Sequence, residues 1–335
     1  MQELIVTLIA TLQALTLLLV AQGNMTPELQ TQINAINQTA SITAVAAPKP
    51  LSFTTINQQK SPAVINILCR GSGNIRSGTA SAVIISPTGL VLTNAHMAQY
   101  MLLEQATDAP VSCTIRTGSP AKAAYKARVL YISKDWVKEN AHQISSREQL
   151  GTGKDDYAIL QITESLSGSE LPAVFPHILP NPSLATNTVG QQVLMRAYPA
   201  EFIGTTIALR ALHSAATIST IKAVSTFTLP DSGKVASPDL ISLGGTIIAQ
   251  GGSSGGAVVD AQGQLVGIIV TSTRTEETKD RDLKAITLSH INASIKEETG
   301  ISLAELIATP ATELTTTFQE GLLASAYELA QELNK

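Results

Sequence analysis

From Ala63 onward the chain is a succession of short runs rich in β-branched residues, separated by turns that contain Gly, Pro, Asn or Asp. Such runs predict antiparallel strands, and strands spaced this closely favour barrels. Six runs precede a Pro- and Asn-containing segment at residues 180–187, and six follow it. We therefore predict an all-β fold of two six-stranded antiparallel β-barrels, at about residues 61–180 and 188–288. The predicted strands are Ala63–Cys69, Ser77–Ile85, Leu90–Asn94, Ser112–Thr117, Ala127–Ser133 and Tyr157–Ile162, then Gln192–Ala197, Ile203–Ala208, Ala215–Ile221, Ala223–Leu229, Thr246–Ala249 with Gly256–Val259, and Leu265–Thr273.

Helices are predicted at the carboxyl-terminal end. Ser289–Glu298 can form one, with Ile291 and Ile295 on its buried side and Gly300 ending it. Residues 299–335 form a helical extension in which apolar residues recur at three- and four-residue spacing, and we expect this stripe to dock on the protein's own core. The stripe consists of Leu314, Phe318, Leu322, Ala326, Leu329 and Leu333.

The amino-terminal segment, residues 1–23, contains the apolar run Leu4–Ala21, which as a helix would be roughly 27 Å long and close to a bilayer core. It is either a single-pass membrane anchor or a signal peptide, because Ala21-Gln22-Gly23 could serve for cleavage although no Lys or Arg precedes the run. Residues 24–60, rich in Gln, Asn, Thr, Ala and Pro, are interpreted as a linker or stalk. Both alternatives indicate an extracytoplasmic domain that is membrane-anchored or secreted.

Composition excludes several kinds of partner. The formal net charge is −4 and the basic residues are scattered, so we expect no nucleic-acid binding. No metal-ligand spacing, phosphate-binding glycine loop or dinucleotide fingerprint occurs, so neither a metal nor another cofactor is expected.

Cys69 and Cys113 are the only cysteines, and each lies on a predicted strand of the first barrel. A disulfide between them is one reading and two buried free thiols are the other. A disulfide closing this loop would contribute about 4 kcal/mol in the loop-entropy model and would indicate an oxidising compartment.

The sequence Gly-Gly-Ser-Ser-Gly-Gly at residues 251–256 lies between apolar runs, which favours a turn over a flexible linker. Glycines on both sides of a serine allow a tight loop on which the hydroxyl projects beside converging backbone N–H groups. A serine nucleophile also needs a base, and the base needs a group that orients it.

Of the five histidines, His96 has the most suggestive context, because it follows the apolar strand Leu90–Asn94 where a cleft between barrels would lie. Asp156 directly precedes the strand Tyr157–Ile162, and Asp155 is its competitor. Alternation along a strand puts these carboxylates on opposite sides, so only one can face His96. The remaining histidines are interpreted as surface or hydrogen-bonded residues; they are His142, His177, His213 and His290.

Four stretches of the sequence together resemble the His, Asp and Ser motifs of the chymotrypsin-fold serine peptidases, and are most similar to the bacterial HtrA-like branch. They are Ser77–Ile85 with Leu92–His96, Asp156–Leu160 and Gly252–Gly256. The motifs follow the family's order, with 60 and 98 residues between the three central positions. The resemblance covers residues 61–298, the expected trypsin-like domain, and implies chymotrypsin-like barrels.

The resemblance implies a serine endopeptidase that acts on polypeptides through an acyl-enzyme, with Ser254 as nucleophile, His96 as general base and Asp156 holding the imidazole. The backbone N–H groups of Gly252 and Ser254 would form the oxyanion hole. Ile248, six residues before the nucleophile, would lie at the base of the specificity pocket and favour small or medium apolar side chains in exported or unfolded proteins.

Two departures from the family pattern are evident. Ser253 stands where trypsin-like zymogens have an aspartate, so activation by an inserted N-terminus is not expected. Only 37 residues follow Glu298, too few for a PDZ domain. Because Gly251 and Gly252 could leave the loop collapsed, the alternative reading is a catalytically silent trypsin-fold module that binds peptides or partner proteins. A structural surface protein with a simple hairpin at this position is a third reading.

Overall fold

The structure, a computed structural model, describes residue 26 and residues 51–144, 152–183, 188–227, 237–273, 275 and 277–333. The chain divides into Met1–Pro50 and Leu51–Lys335, and every element below belongs to the second unit. The predicted apolar helix Leu4–Ala21 lies outside the described residues. Within them, no helix is both long enough and apolar enough to cross a bilayer.

The described part of the chain contains thirteen strands and seven α-helices. The strands are β1 Val64–Gly71, β2 Gly78–Ile84, β3 Leu90–Thr93, β4 Val111–Thr117, β5 Lys122–Ile132, β6 Ala158–Ser165, β7 Gln192–Ala197, β8 Ala215–Thr220, β9 Ala223–Ser225, β10 Leu240–Gly244, β11 Ala257–Val259, β12 Leu265–Ser272 and β13 Leu283–Thr287. The helices are α1 Phe53–Lys60, α2 Ala95–Ala106, α3 Lys134–Asn140, α4 Gly204–Arg210, α5 Leu288–Thr299, α6 Leu303–Ala308 and α7 Ala311–Leu333.

The first six strands close into the predicted antiparallel barrel, and their order around it is β1-β2-β3-β6-β5-β4. Cys69 on β1 lies directly opposite Cys113 on β4, and a disulfide joins them. Of the two alternatives for the cysteines, the structure therefore selects the disulfide.

The second half is a sheet of seven described strands in the order β8-β7-β11-β12-β13-β10-β9. The chymotrypsin-like fold is confirmed. Among the described residues, its second half is a seven-stranded half-barrel sheet where the sequence predicts six strands. The strand predicted at Ile203–Ala208 is helix α4, since Ile203 and Ile207 also have helical spacing. The strand predicted at Thr246–Ala249 is a turn, because the Thr246 hydroxyl accepts the N–H of Ile248 locally. Strands β10 and β13 were not predicted.

Helix α1 forms the last eight residues of the segment interpreted as a stalk. The Ser52 side chain caps it by accepting the N–H of Thr55 at 3.1 Å. Ile56 is fully buried in a core cluster that draws on both sheets. Residues 53–60 are therefore part of the folded unit.

The predicted carboxyl-terminal helices are confirmed. In α5, Ile291 and Ile295 are fully buried, and Gly300 ends the helix with φ +81°. In α7, Leu322, Ala326 and Leu329 pack into the cluster that fills the first barrel. The apolar stripe thus docks on the protein's own core.

Candidate active site

The antiparallel pairing of β3 with β6 brings His96 and Asp156 together, because the end of β3 and the start of β6 lie at the same edge of the barrel. His96 is in the first turn of α2, and Asp156 precedes β6. The His96 Nδ1 atom is 2.7 Å from Asp156 Oδ2, and the backbone N–H of His96 donates to Oδ1 at 2.9 Å. Asn94 Nδ2 donates to the Asp156 carbonyl at 2.8 Å, which holds the pair from the other side.

The electrostatics of this pair favour a charged imidazole. Burial lowers the pKa of His96, but the charge of Asp156 and the hydrogen bond to it outweigh burial, so the pKa lies above its ordinary value of 6.5. With Nδ1 donating to the carboxylate, Nε2 is left to accept a proton, and no described residue contacts it by a hydrogen bond.

The neighbouring Asp155 faces a different histidine. Its φ is +53°, and its Oδ1 lies 2.9 Å from His290 Nε2 and accepts from the Ser294 hydroxyl at 2.8 Å. His290 Nδ1 lies 2.9 Å from Asp239, so this histidine lies between two carboxylates. The prediction that only one of the two adjacent aspartates faces His96 is confirmed, and His290 is a hydrogen-bonded residue as expected.

The loop at residues 251–256 buries one serine and presents the other. Ser253 is fully buried, and its hydroxyl has no hydrogen-bond partner among the described residues. Ser254 is partly exposed. Across the described part of the chain, no acceptor meets the backbone N–H of Gly252 or of Ser254. These are the two amides to which the resemblance assigns the oxyanion hole.

The glycines after Ser254 are required by close approach to the barrel. Gly255 has φ +80°, and a Cβ there would lie 2.0 Å from the Ser81 carbonyl oxygen. At Gly256, a Cβ would lie 2.7 Å from that of Ala197 on β7. Any larger residue at either position would push the serine loop away from both sheets.

Ser81 on β2 ties this loop to the first barrel. Its N–H donates to the Ser254 carbonyl at 2.7 Å, and its hydroxyl donates to the Gly252 carbonyl at 2.8 Å. The same hydroxyl accepts the N–H of Tyr198 at 2.8 Å. Sequence reasoning assigned Ser81 no role; the available signal was a serine between the two alanines Ala80 and Ala82 in strand β2.

We expect Ser81→Ala to lower kcat more than it changes KM. The substitution leaves the Gly252 carbonyl and the Tyr198 N–H without a partner inside the protein, at about 1–3 kcal/mol for each buried group. Steady-state kinetics on a peptide substrate, together with urea unfolding, would measure both effects.

Ser86→Ala is the matched control, because Ser86 is a buried serine in the turn between β2 and β3 whose hydroxyl accepts the N–H of Leu90 within its own hairpin. The control should lose stability but keep kcat. Equal losses of kcat in the two variants would contradict a positioning role for Ser81.

An ion pair holds the segment that leads into the loop. Arg281 donates to Glu201 at 2.8 and 3.0 Å and to the Ala249 carbonyl at 2.7 Å. Glu201 in turn accepts the N–H of Gly251 at 2.9 Å. The pair therefore fixes the backbone on both sides of Gln250. Sequence reasoning also missed it, since nothing local links residues 80 positions apart.

Ile248, the expected specificity residue, is fully buried in a cluster with Ile241 and Leu243. The adjacent Ile247 side chain is 61% exposed. Within the described ranges, no group of three or more His, Cys, Asp or Glu side chains is placed to hold a metal ion.

The sequence and the fold of this chain are similar to those of known proteins. Residues 80–268, more than half of the chain, match the family model of the trypsin-like peptidase domain. This range contains His96, Asp156 and Ser254. No curated protein sequence matches the chain.

Among solved structures, the chain is similar to the serine endoprotease from Yersinia pestis, with 20% identity, 78% of this chain and 68% of that chain covered, and a TM-score of 0.45. It is also similar to the HtrA-type protease AlgW with tripeptide, with 21% identity, 75% and 65% covered, and a TM-score of 0.44. The matched region thus spans about two thirds of each of these chains.

Proposed function

The chain belongs to the trypsin-like peptidase family and is a serine endopeptidase, and from that premise we propose that Ser254, His96 and Asp156 hydrolyse peptide bonds through an acyl-enzyme. The observation that carries the proposal is the contact of 2.7 Å between His96 Nδ1 and Asp156 Oδ2. It leaves Nε2 available to a serine hydroxyl.

In the proposed first step, the Ser254 hydroxyl attacks the substrate carbonyl carbon while His96 Nε2 takes its proton. The carbonyl oxygen becomes an oxyanion, which the N–H groups of Gly252 and Ser254 stabilise. That both amides lack a protein acceptor in the described structure supports this role. His96 then protonates the leaving amine, and the C–N bond breaks to give the acyl-enzyme and the first product.

In the proposed second step, water attacks the ester carbonyl carbon as His96 accepts a proton from it, and the proton then returns to Ser254 as the acid product leaves. Asp156 accepts the hydrogen bond from His96 Nδ1 in both steps and so holds the Nδ1–H tautomer. The raised pKa of His96, a result of the nearby Asp156 charge outweighing burial, supports an imidazolium in both transition states.

The proposed substrates are polypeptides, and the apolar Ile248 supports cleavage after small or medium apolar residues. The Cys69–Cys113 disulfide supports an extracytoplasmic location, where exported or unfolded proteins would be encountered. Whether residues 1–23 anchor the protein or are cleaved stays a prediction.

The proposed function is tested by incubating the chain with a substrate protein that has been unfolded by reduction and alkylation. We expect the wild-type chain to release fragments, and mass spectrometry of their new carboxyl termini to show small or medium apolar residues. Ser254→Ala should release none. Fragments ending in Lys or Arg would contradict the specificity alone. A folded wild-type chain that binds the unfolded protein without cutting it would contradict the peptidase and favour the silent binding module.

A further inference from the structure

A second concave site lies on the outer face of the first barrel, apart from the residues described above. It is a cavity of about 440 Å³ between strands β1, β4 and β5 and the end of helix α4. No carboxylate side chain lines it. Its polar lining is formed by Arg70, Arg116, Lys122, Arg210, Ser112 and Thr114.

Strand register explains why these side chains share one face. Arg70 on β1 lies opposite Ser112 on β4, and the next position on each strand is Cys69 opposite Cys113. Because side chains alternate between the two faces of a strand, the disulfide points into the barrel and the polar pair points outward. The cavity floor is therefore built on two strands that are covalently joined.

Arg116 is the fixed element of the cavity. Its side chain is almost fully buried, and its Nε donates to Asn66 Oδ1 at 2.7 Å. Its Nη1 donates to the carbonyls of Ala208 and Leu209 at 3.0 and 3.2 Å. These bonds hold the carboxyl-terminal end of α4 against the barrel, and they place Arg210, the last residue of α4, at the cavity.

The three remaining cations are exposed. Among the described residues, no carboxylate forms an ion pair with Arg70, Lys122 or Arg210. One carboxylate does approach the rim: Glu104 accepts from Ser112 at 3.3 Å, but it is itself paired with Lys126 at 2.8 Å. The cavity thus keeps an excess of positive charge on a chain whose net charge is −4.

The positive charges that line the cavity repel one another. Burial lowers the pKa of Arg116, and the nearby charge of Arg70 lowers it further. A bound anion would remove this repulsion, and a guanidinium presents several N–H donors in a planar fork that suits phosphate oxygens. The Thr114 hydroxyl, which bonds to no described residue, adds a neutral donor.

We propose that this cavity binds a phosphate group, carried either by the free ion or by a lipid headgroup. Arg70, Lys122 and Arg210 supply the attraction, and Arg116 fixes the floor of the cavity. The site involves none of the residues assigned to peptide hydrolysis, so it stands whether or not that assignment holds.

Thermal unfolding of the full chain, titrated with inorganic phosphate at constant ionic strength, tests the site. A ligand that binds only the folded state raises Tm as its concentration passes Kd. We expect the triple variant R70Q/K122Q/R210Q to bind at least about tenfold more weakly. The Tm of this variant without phosphate should not fall, because the removed cations form no ion pair within the described part of the chain.

The control removes three exposed lysines elsewhere, in K138Q/K279Q/K296Q, and should keep the wild-type response to phosphate. Co-sedimentation with phosphatidylcholine vesicles that contain or lack phosphatidic acid separates the two sources. If inorganic phosphate raises Tm but the protein sediments with neither kind of vesicle, the ligand is the free ion. If the protein sediments only with vesicles that contain phosphatidic acid, and the cavity variant does not, the ligand is the lipid headgroup. No response to either probe, or equal losses in both triple variants, would overturn the proposal.

Discussion

Ser254→Ala is expected to lower kcat/KM for peptide hydrolysis by roughly 10⁴- to 10⁶-fold. The substitution removes the proposed nucleophile, and the neighbouring Ser253 hydroxyl is buried and cannot replace it. KM should change little, because the hydroxyl contributes little to binding the ground state. Steady-state hydrolysis of a fluorogenic peptide with an apolar residue before the scissile bond measures the effect.

Ser169→Ala provides the control, since Ser169 is an exposed serine in the turn after β6. Its kinetics should equal those of the wild type. If Ser254→Ala kept activity within about tenfold of the wild type, the acyl-enzyme would have to form elsewhere or not at all.

Asp156→Asn is expected to lower kcat by about 10³- to 10⁴-fold. Asparagine keeps the size of the side chain but loses the charge that stabilises the imidazolium and fixes the Nδ1–H tautomer.

The Asp156→Asn substitution should also move the pH profile of the activity. The pKa of His96 is above 6.5 in the wild type. Activity should therefore rise as the pH passes the pKa of His96 and the imidazole loses its proton. In the variant burial remains without the charge, so this limb should move to lower pH. The pH dependence of kcat/KM measures both.

Asp155→Asn makes the same chemical change one residue away. Because Asp155 contacts His290 and Ser294 instead of His96, this variant should lose stability while keeping its acidic limb in place. A larger catalytic loss in Asp155→Asn than in Asp156→Asn would show that the assignment of the two aspartates is reversed.

The first barrel was predictable because its strands are regular and its candidate catalytic residues lie at strand ends. His96 follows β3 and Asp156 precedes β6, and antiparallel pairing brings those ends together. The disulfide could not be decided from the sequence, because spacing along the chain does not give the register that puts Cys69 opposite Cys113.

The second half was less predictable, because its runs are short and their periodicity is ambiguous. The apolar residues of α4 fit both a strand and a helix, and β13 passes directly into helix α5, where the Thr287 side chain caps α5. The sequence did not reveal the positioning contacts made by Ser81 or by the ion pair of Glu201 with Arg281. These side chains bond to backbone groups that are distant in sequence, and only the folded chain brings those groups within reach.

A fluorophosphonate, which forms a covalent bond with activated serines, tests whether Ser254 is a nucleophile activated by His96. The full chain would be treated with the reagent, digested and mapped by mass spectrometry. We predict a single adduct, on Ser254, that is lost in Ser254→Ala and strongly reduced in His96→Ala. A correctly folded wild-type protein that forms no adduct, or forms one on a different serine, would contradict it.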